Sequence, residues 1–278
     1  MTTDAPAMLE APDAAGDAAV KHAGATQPIY QPPVKMRSSS RFFVKNSILA
    51  GLPLQDLAAM GEFLEPIVLR ERMVLQEPRR HLDHVYFVEA GLVSLRIVAA
   101  GSILETALIG RRGAVGATLL WGAHLSTHQA VVLFPGSAHR IRVEDLHCVI
   151  QKRPQIREHF VRYVQALNLH CAQTGFCGVR HDLEKRLACW LCLAADAIDA
   201  KRLPVTHEYL SSVLGLRRAG VTETLIRFEE QRLIHKTRGV LQIDGRGCLE
   251  NKTCSCYKLI SSAYTATEAM ISDAEPIG

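Results

Sequence analysis

Apolar residues change rhythm twice along this chain, and the changes mark out three regions. From Asn46, the residues Ile48, Leu49 and Leu52, then Leu57, Met60, Phe63 and Leu64, recur at helical spacing. Short apolar runs follow at 67–75, 85–88, 92–98, 103–109, 130–134 and 139–143. Gly91, Ala100-Gly101, Gly110, Gly113, Gly116 and Pro135-Gly136 separate them. Runs of this length between glycine-rich breaks predict strands, and their near-regular spacing predicts a small antiparallel sandwich or barrel.

After Val143 the rhythm becomes helical. Residues 144–151 form a short amphipathic stretch, and Pro154 opens a longer one, at a first-turn position where its missing N–H has no helical partner to lose. Ile156, Phe160, Tyr163, Leu167, His170 and Thr174 then alternate at spacings of four and three, a seam like that of a coiled coil. Periodicity leaves two covers for this stripe open: a second copy of the chain, or the protein's own β region. Gly175 and Gly178 are expected to end the helix. Residues 181–198 form another, with Leu183, Leu187, Trp190, Leu191, Leu193 and Ala194 on its apolar side.

The third region is a helix-turn-helix. Thr206 stands where an N-cap is needed, and Leu210, Val213 and Leu214 face one side of the supporting helix that follows. Gly215 provides the turn, since glycine takes positive φ without steric cost. A second helix is expected from Arg217 to about Arg232, burying Val221, Leu225 and Phe228, with Leu233-Ile234 closing the core. Its exposed first turns carry Arg217, Arg218, Thr222 and Glu223, where a recognition helix meets base edges and phosphates. Residues 235–243 then read as two short strands turning at Arg238-Gly239, a basic wing whose Lys236 and Arg238 suit the phosphate backbone. Gly220 inside this helix costs about 1 kcal/mol relative to Ala, which suggests a close approach of backbone to DNA.

Charge sharpens this assignment. The chain's net charge of +4 is mild, but residues 201–246 hold nine Lys or Arg against five acids, a local excess equal to that of the whole chain. The 278 residues, 48% of them hydrophobic, suffice for two ordinary domains. No run approaches the roughly 18 apolar residues that span a membrane. The N-terminus carries Asp4, Glu10, Asp13 and Asp17 and does not resemble a secretory signal, so a cytoplasmic protein without a membrane partner is expected. Residues 1–40 are rich in Ala, Pro, Asp and Ser and read as a disordered tail.

With its elements in this order, the chain resembles the Crp/Fnr family of bacterial transcription regulators over residues 46–243. Val85-Tyr86-Phe87 before Gly91, the turn region from Gly110 to Gly116, Pro135-Gly136 and the stretch from Thr206 to Ile234 carry the resemblance. It implies an α+β protein with an N-terminal antiparallel, jelly-roll-like β-roll similar to cyclic-nucleotide-binding domains, a long dimerisation helix and a C-terminal winged helix-turn-helix. The corresponding divisions are a sensor over 41–153, the dimerisation helix over 154–180, the DNA-binding domain over 181–260 and a C-terminal tail over 261–278. The implied partners are promoter DNA with two-fold symmetry, a second copy of the chain and RNA polymerase.

Departures from the family pattern narrow these expectations. Cyclic-AMP-binding members carry a Gly-Glu pair and an Arg-Ser-Ala-like segment, where this chain has Gly116-Ala117 and His128-Gln129-Ala130. Without the acid and the guanidinium there is neither the ribose acceptor nor the charge-assisted phosphate donor, so cyclic AMP is not the expected effector. The recognition-helix Glu that reads cytosine is replaced by Ala219, Arg218 matches a frequent family Arg, and Glu223 stands where Arg is frequent. The preferred operator should differ accordingly.

No cofactor or metal is expected. Members that hold an iron–sulfur cluster use N-terminal cysteines, and here the first is Cys148. His81, His84, His124, His128 and His170 are candidate haem ligands, but no spacing selects one. Cys189 and Cys192 share a helix face and read as buried free thiols. Cys248, Cys254 and Cys256, near Cys171 and Cys177, could hold zinc or a cluster, although paired C-x-x-C knuckles are missing. Two other function classes remain open. One is an effector-sensing module that has lost DNA binding. The other is a cupin-like enzyme, which needs His and carboxylates clustered on adjacent strands.

Overall fold

The computed structural model describes residues 44–122 and 125–272, so the expected tail over 1–40 and the histidine at 124 lie outside the described residues. Two short helices, α1 (Ser47–Ala50) and α2 (Leu54–Gly61), lead into the strands β1 (Glu65–Leu69), β2 (Val74–Gln76), β3 (His84–Ala99), β4 (Ser102–Ile109), β5 (Ala114–Val115) and β6 (Gln129–Arg142). They form one antiparallel sheet ordered β1-β6-β3-β4, with β2 on β6 and β5 on β3.

Sequence reading predicts breaks at Gly91 and Gly136, yet β3 and β6 run straight through them. Both glycines lie where these strands cross closely. Gly91 has φ +92°, and a Cβ there would stand 2.6 Å from the carbonyl oxygen of Phe134. A Cβ at Gly136 would strike the carbonyl oxygen of Ala90. The pairing register shifts around Ala90 and Leu92, so these glycines mark bulges that bend continuous strands.

Helix α3 (Val143–Lys152) and the long α4 (Pro154–Arg180) follow. Gly175 and Gly178 do not end α4, which continues to Arg180. The stripe of Ile156, Phe160, Tyr163, Leu167 and His170 is buried inside the chain itself. The Phe160 ring lies 5.5 Å from that of Phe87 on β3, and the Tyr163 hydroxyl donates to the carbonyl of Ala114 at 2.9 Å. A neighbouring stripe on α4 faces outward: Gln165 and Ala172 are exposed, Leu169 is half-buried, and Phe176 and Val179 are 51% and 83% exposed.

Helix α5 (Leu183–Ile198), β7 (Arg202–Leu203), α6 (His207–Leu214), α7 (Arg218–Glu230), β8 (Ile234–Thr237), β9 (Val240–Ile243) and α8 (Arg246–Glu250) form the C-terminal region. Its core includes Leu187, Leu191, Leu210, Val221, Leu225 and Phe228. The wing is a three-stranded sheet, β7-β9-β8, rather than the two-stranded hairpin expected.

The stretch expected as a tail from residue 261 is, as far as Ser272, the second half of α9 (Ser255–Ser272). Tyr257 and Ile260 are buried, and the Tyr264 hydroxyl meets His170 Nδ1 on α4 at 3.1 Å. Arg112, in the turn after β4, binds the Glu268 carboxylate of α9.

Candidate nucleic-acid interface

Each part of the helix-turn-helix has a local cause. Thr206 caps α6 by accepting the Tyr209 N–H at 3.1 Å, and Gly215 takes the left-handed conformation at φ +60°. The Leu216 N–H then returns to the Ser211 carbonyl at 2.8 Å, closing the helix end. Arg217 is extended and serves as N-cap, so α7 begins at Arg218, one residue later than expected. It ends at Glu230, and Arg232 at φ +57° turns the chain into the wing.

Gly220 has a packing cause within the protein. A Cβ there would approach a methyl of Leu183 on α5 to 2.8 Å, so the glycine admits close packing of α7 on α5 and needs no DNA to explain it.

Thr206, Arg218 and Lys236 come together around a cleft of about 310 Å³, with His207 and Gly239 also on its walls. Arg238 sits beside it at the wing turn. Arg217, Arg218, Glu223 and Arg238 are exposed. Among the described residues none of these three arginines pairs with a carboxylate.

Two other predicted residues are already partnered. The Lys236 ammonium lies 3.4 Å from Glu229, whose carboxylate also accepts the Lys236 N–H at 2.9 Å. Those contacts, the backbone hydrogen bond first, hold the Glu229 carboxyl below its ordinary range. Thr222 is half-buried, with its hydroxyl 3.0 Å from His207 Nδ1. Burial, and then the charges of Lys236 and Arg218, push the His207 pKa down and favour a neutral ring. The part His207 plays in the cleft was not legible, because its position in the first turn of α6 has no sequence signature. The basic excess is also smaller at the surface than in the sequence. Arg227 pairs with Glu184 at 3.6 Å, and Arg246 turns inward to Asp196 at 2.7 Å.

Glu105 of β4 joins the two regions. It accepts from Ser94 and from the Trp190 indole N–H, both at 2.5 Å, and from the Tyr209 hydroxyl at 2.8 Å. Burial raises its pKa, outweighing the three donors. A cavity of about 320 Å³ opens next to it, lined by Leu104, Leu108, Cys177, Trp190 and Val213 among others.

Among the described residues, the histidines considered as haem ligands form no cluster with one another. His170 is buried against Tyr264, and His81 lies in an isolated bridge to Leu125. Cys189 and Cys192 are both buried, and burial pushes the Cys192 thiol up to about 12.

Residues 185–251 match the model of the Crp-like helix-turn-helix domain. No curated protein matches the chain. The structure of FixK2 from Bradyrhizobium japonicum superposes with a TM-score of 0.60 at 15% identity, covering 69% of this chain and 98% of that one. The c-di-GMP-responsive global regulator CLP of Xanthomonas campestris gives 0.58 at 16% identity, covering 69% and 100%. TTHB099, a CRP-family transcriptional regulator from Thermus thermophilus, gives 0.51 at 16% identity, covering 67% and 95%. At these identities the likeness establishes a shared fold.

Proposed function

From a chain that carries a Crp-like helix-turn-helix domain within the fold of Crp/Fnr regulators, we infer a DNA-binding transcription regulator rather than an enzyme. The observation that carries this reading is the set of exposed arginines 217 and 218 at the start of α7 and 238 at the wing turn, none of them paired with a carboxylate among the described residues. An unpaired guanidinium can grip guanine at two points or a phosphate, without first giving up a protein partner. Arg217 and Arg218 are assigned to base and phosphate contacts in the major groove and Arg238 to the backbone. Thr206 and Lys236 position the cleft, and Thr222 and Glu223 complete the recognition face.

The outward stripe of α4 supports a homodimer. Leu169, Ala172, Phe176 and Val179 recur at spacings of three and four, and two of them are large and exposed. A dimer through α4 would present two recognition helices to a site of two-fold symmetry, with half-sites about 34 Å apart or a multiple of it. Promoter binding and contact with RNA polymerase are what the resemblance to Crp/Fnr regulators implies.

The β-roll supports an effector other than cyclic AMP. Ala117 opens a short 3-10 turn and brings no carboxylate, and the Gln129 side chain is occupied between Arg96 and Glu77, each at 2.9 Å. A cupin-like enzyme has no support, because the one cluster of three or more ligating side chains among the described residues lies outside the β-roll.

Mobility shifts against a random-sequence duplex pool test the reading. Arg217→Ala with Arg218→Ala should weaken binding by about 1–3 kcal/mol per lost base contact. Binding that is absent, or indifferent to both changes, would sink it and favour a sensing module without DNA. Sequencing the selected pool reads symmetry and half-site spacing.

A further inference from the structure

Cys177, His181, Cys254 and Cys256 come from the end of α4 and the start of α9, more than seventy residues apart in the chain, and converge on one point. One ligating atom from each lies within 4.8 Å of all the others, and the three cysteines are buried. We propose that these four residues bind a zinc ion.

The geometry decides among the uses of such a cluster. A tetrahedral zinc with Zn–S near 2.3 Å sets its sulfurs about 3.8 Å apart, and a sulfur and a histidine nitrogen about 3.5 Å apart. Here Cys177 Sγ stands 3.6 Å from Cys254 Sγ, and Cys256 Sγ stands 3.7 Å from His181 Nδ1. A disulfide needs sulfurs at about 2.05 Å, and all eight cysteines are free. A four-iron cluster gives each cysteine its own iron and spreads the sulfurs beyond the edge of one tetrahedron. A single ion therefore fits these four side chains better than a cluster.

The secondary structure supplies the spacing. Cys177 and His181 are four apart at the end of a helix, so they share a face. Cys254 and Cys256 flank the first residue of α9, which sets them two apart at the start of that helix. Cys189, with its sulfur 3.3 Å from that of Cys254, stands behind the group as a neighbour. Binding Zn²⁺ would release the three thiol protons to solvent and leave the site with a net charge of −1. Arg186 lines the same cavity as Cys177 and Cys256. His181 is also the C-cap of α4, immediately before α5, so the ion would fasten α9 at the junction leading into the helix-turn-helix.

The test uses the full chain, produced without a metal-binding tag under reducing conditions. Elemental analysis should find one zinc per chain, and exchange with Co²⁺ should give the thiolate charge-transfer and tetrahedral d–d bands of a sulfur-rich site. Because the cobalt spectrum is read on the unmutated protein, misfolding of a variant cannot mask the answer. Cys254→Ser and His181→Ala should each lower zinc affinity at least about tenfold, whereas exposed Cys148→Ser and neighbouring Cys189→Ser should keep full stoichiometry. Chain that stays metal-free after zinc is added, or that holds iron with sulfide, overturns the proposal. So does a Cys189 variant that loses the metal while the His181 variant keeps it. None of these readouts depends on DNA binding.

Discussion

The two stripes of α4 differ in what covers them. Ile156, Phe160, Tyr163, Leu167 and His170 pack inside the chain, while Leu169, Ala172, Phe176 and Val179, rotated around the same helix, face outward. Both show the spacing of three and four that a coiled coil would use. The difference teaches that helical periodicity identifies an apolar face but not its partner. The inward stripe is covered by a sheet and by α9, both distant in sequence.

This contrast can be broken by experiment, beginning with the inward stripe. Phe160→Ala should cost about 3–5 kcal/mol of unfolding free energy, because the cavity against Phe87 cannot close. Denaturant titration of the full chain reads it, and a loss under about 1 kcal/mol would mean that the stripe is loosely packed.

Acid should act on the same stripe through His170, whose pKa burial lowers from the ordinary histidine value of 6.5 to about 4. A histidine that is harder to protonate in the fold than in the unfolded chain adds stability above pH 6.5, and that stability is lost as pH falls toward 4. The shift corresponds to about 3 kcal/mol. Unfolding curves across that window should be flatter for His170→Gln than for the unmutated chain, and identical slopes would refute the assignment.

A yardstick away from α4 comes next. Thr206→Ala removes the cap of α6 and should cost about 1 kcal/mol, measured in the same titration.

The outward stripe should give the smallest intrinsic effect. Phe176→Glu with Val179→Glu should change the unfolding of the dilute monomer by less than about 0.5 kcal/mol. At higher protein concentration sedimentation should show that the variant fails to self-associate, and its stability deficit should grow with concentration. The Phe160 deficit should not. If both deficits behave alike, the outward stripe is not an interface.

Much of the C-terminal region was legible because its determinants are local. Thr206, Gly215 and the Val221, Leu225, Phe228 stripe fix their turns within a few residues. The β region was legible as strands but not as long ones, since Gly91 and Gly136 look like breaks until the crossing strand is seen. For the same reason Gly220 suggested DNA when its neighbour is Leu183. The pairing of Lys236 with Glu229, the third strand of the wing, the course of α9 and the convergence of Cys177 and His181 with Cys254 and Cys256 all depend on contacts between distant segments. Local spacing carries no record of them.

Glu105 also makes the molecule its own optical gauge. The chain has two tryptophans, and Trp190, buried at the junction, donates its indole N–H to that carboxylate. Replacing Trp121 with Phe would leave a single emitter whose colour and lifetime follow the seam between the β region and the DNA-binding region. Compounds could then be screened for binding by a change in light, before any operator is known.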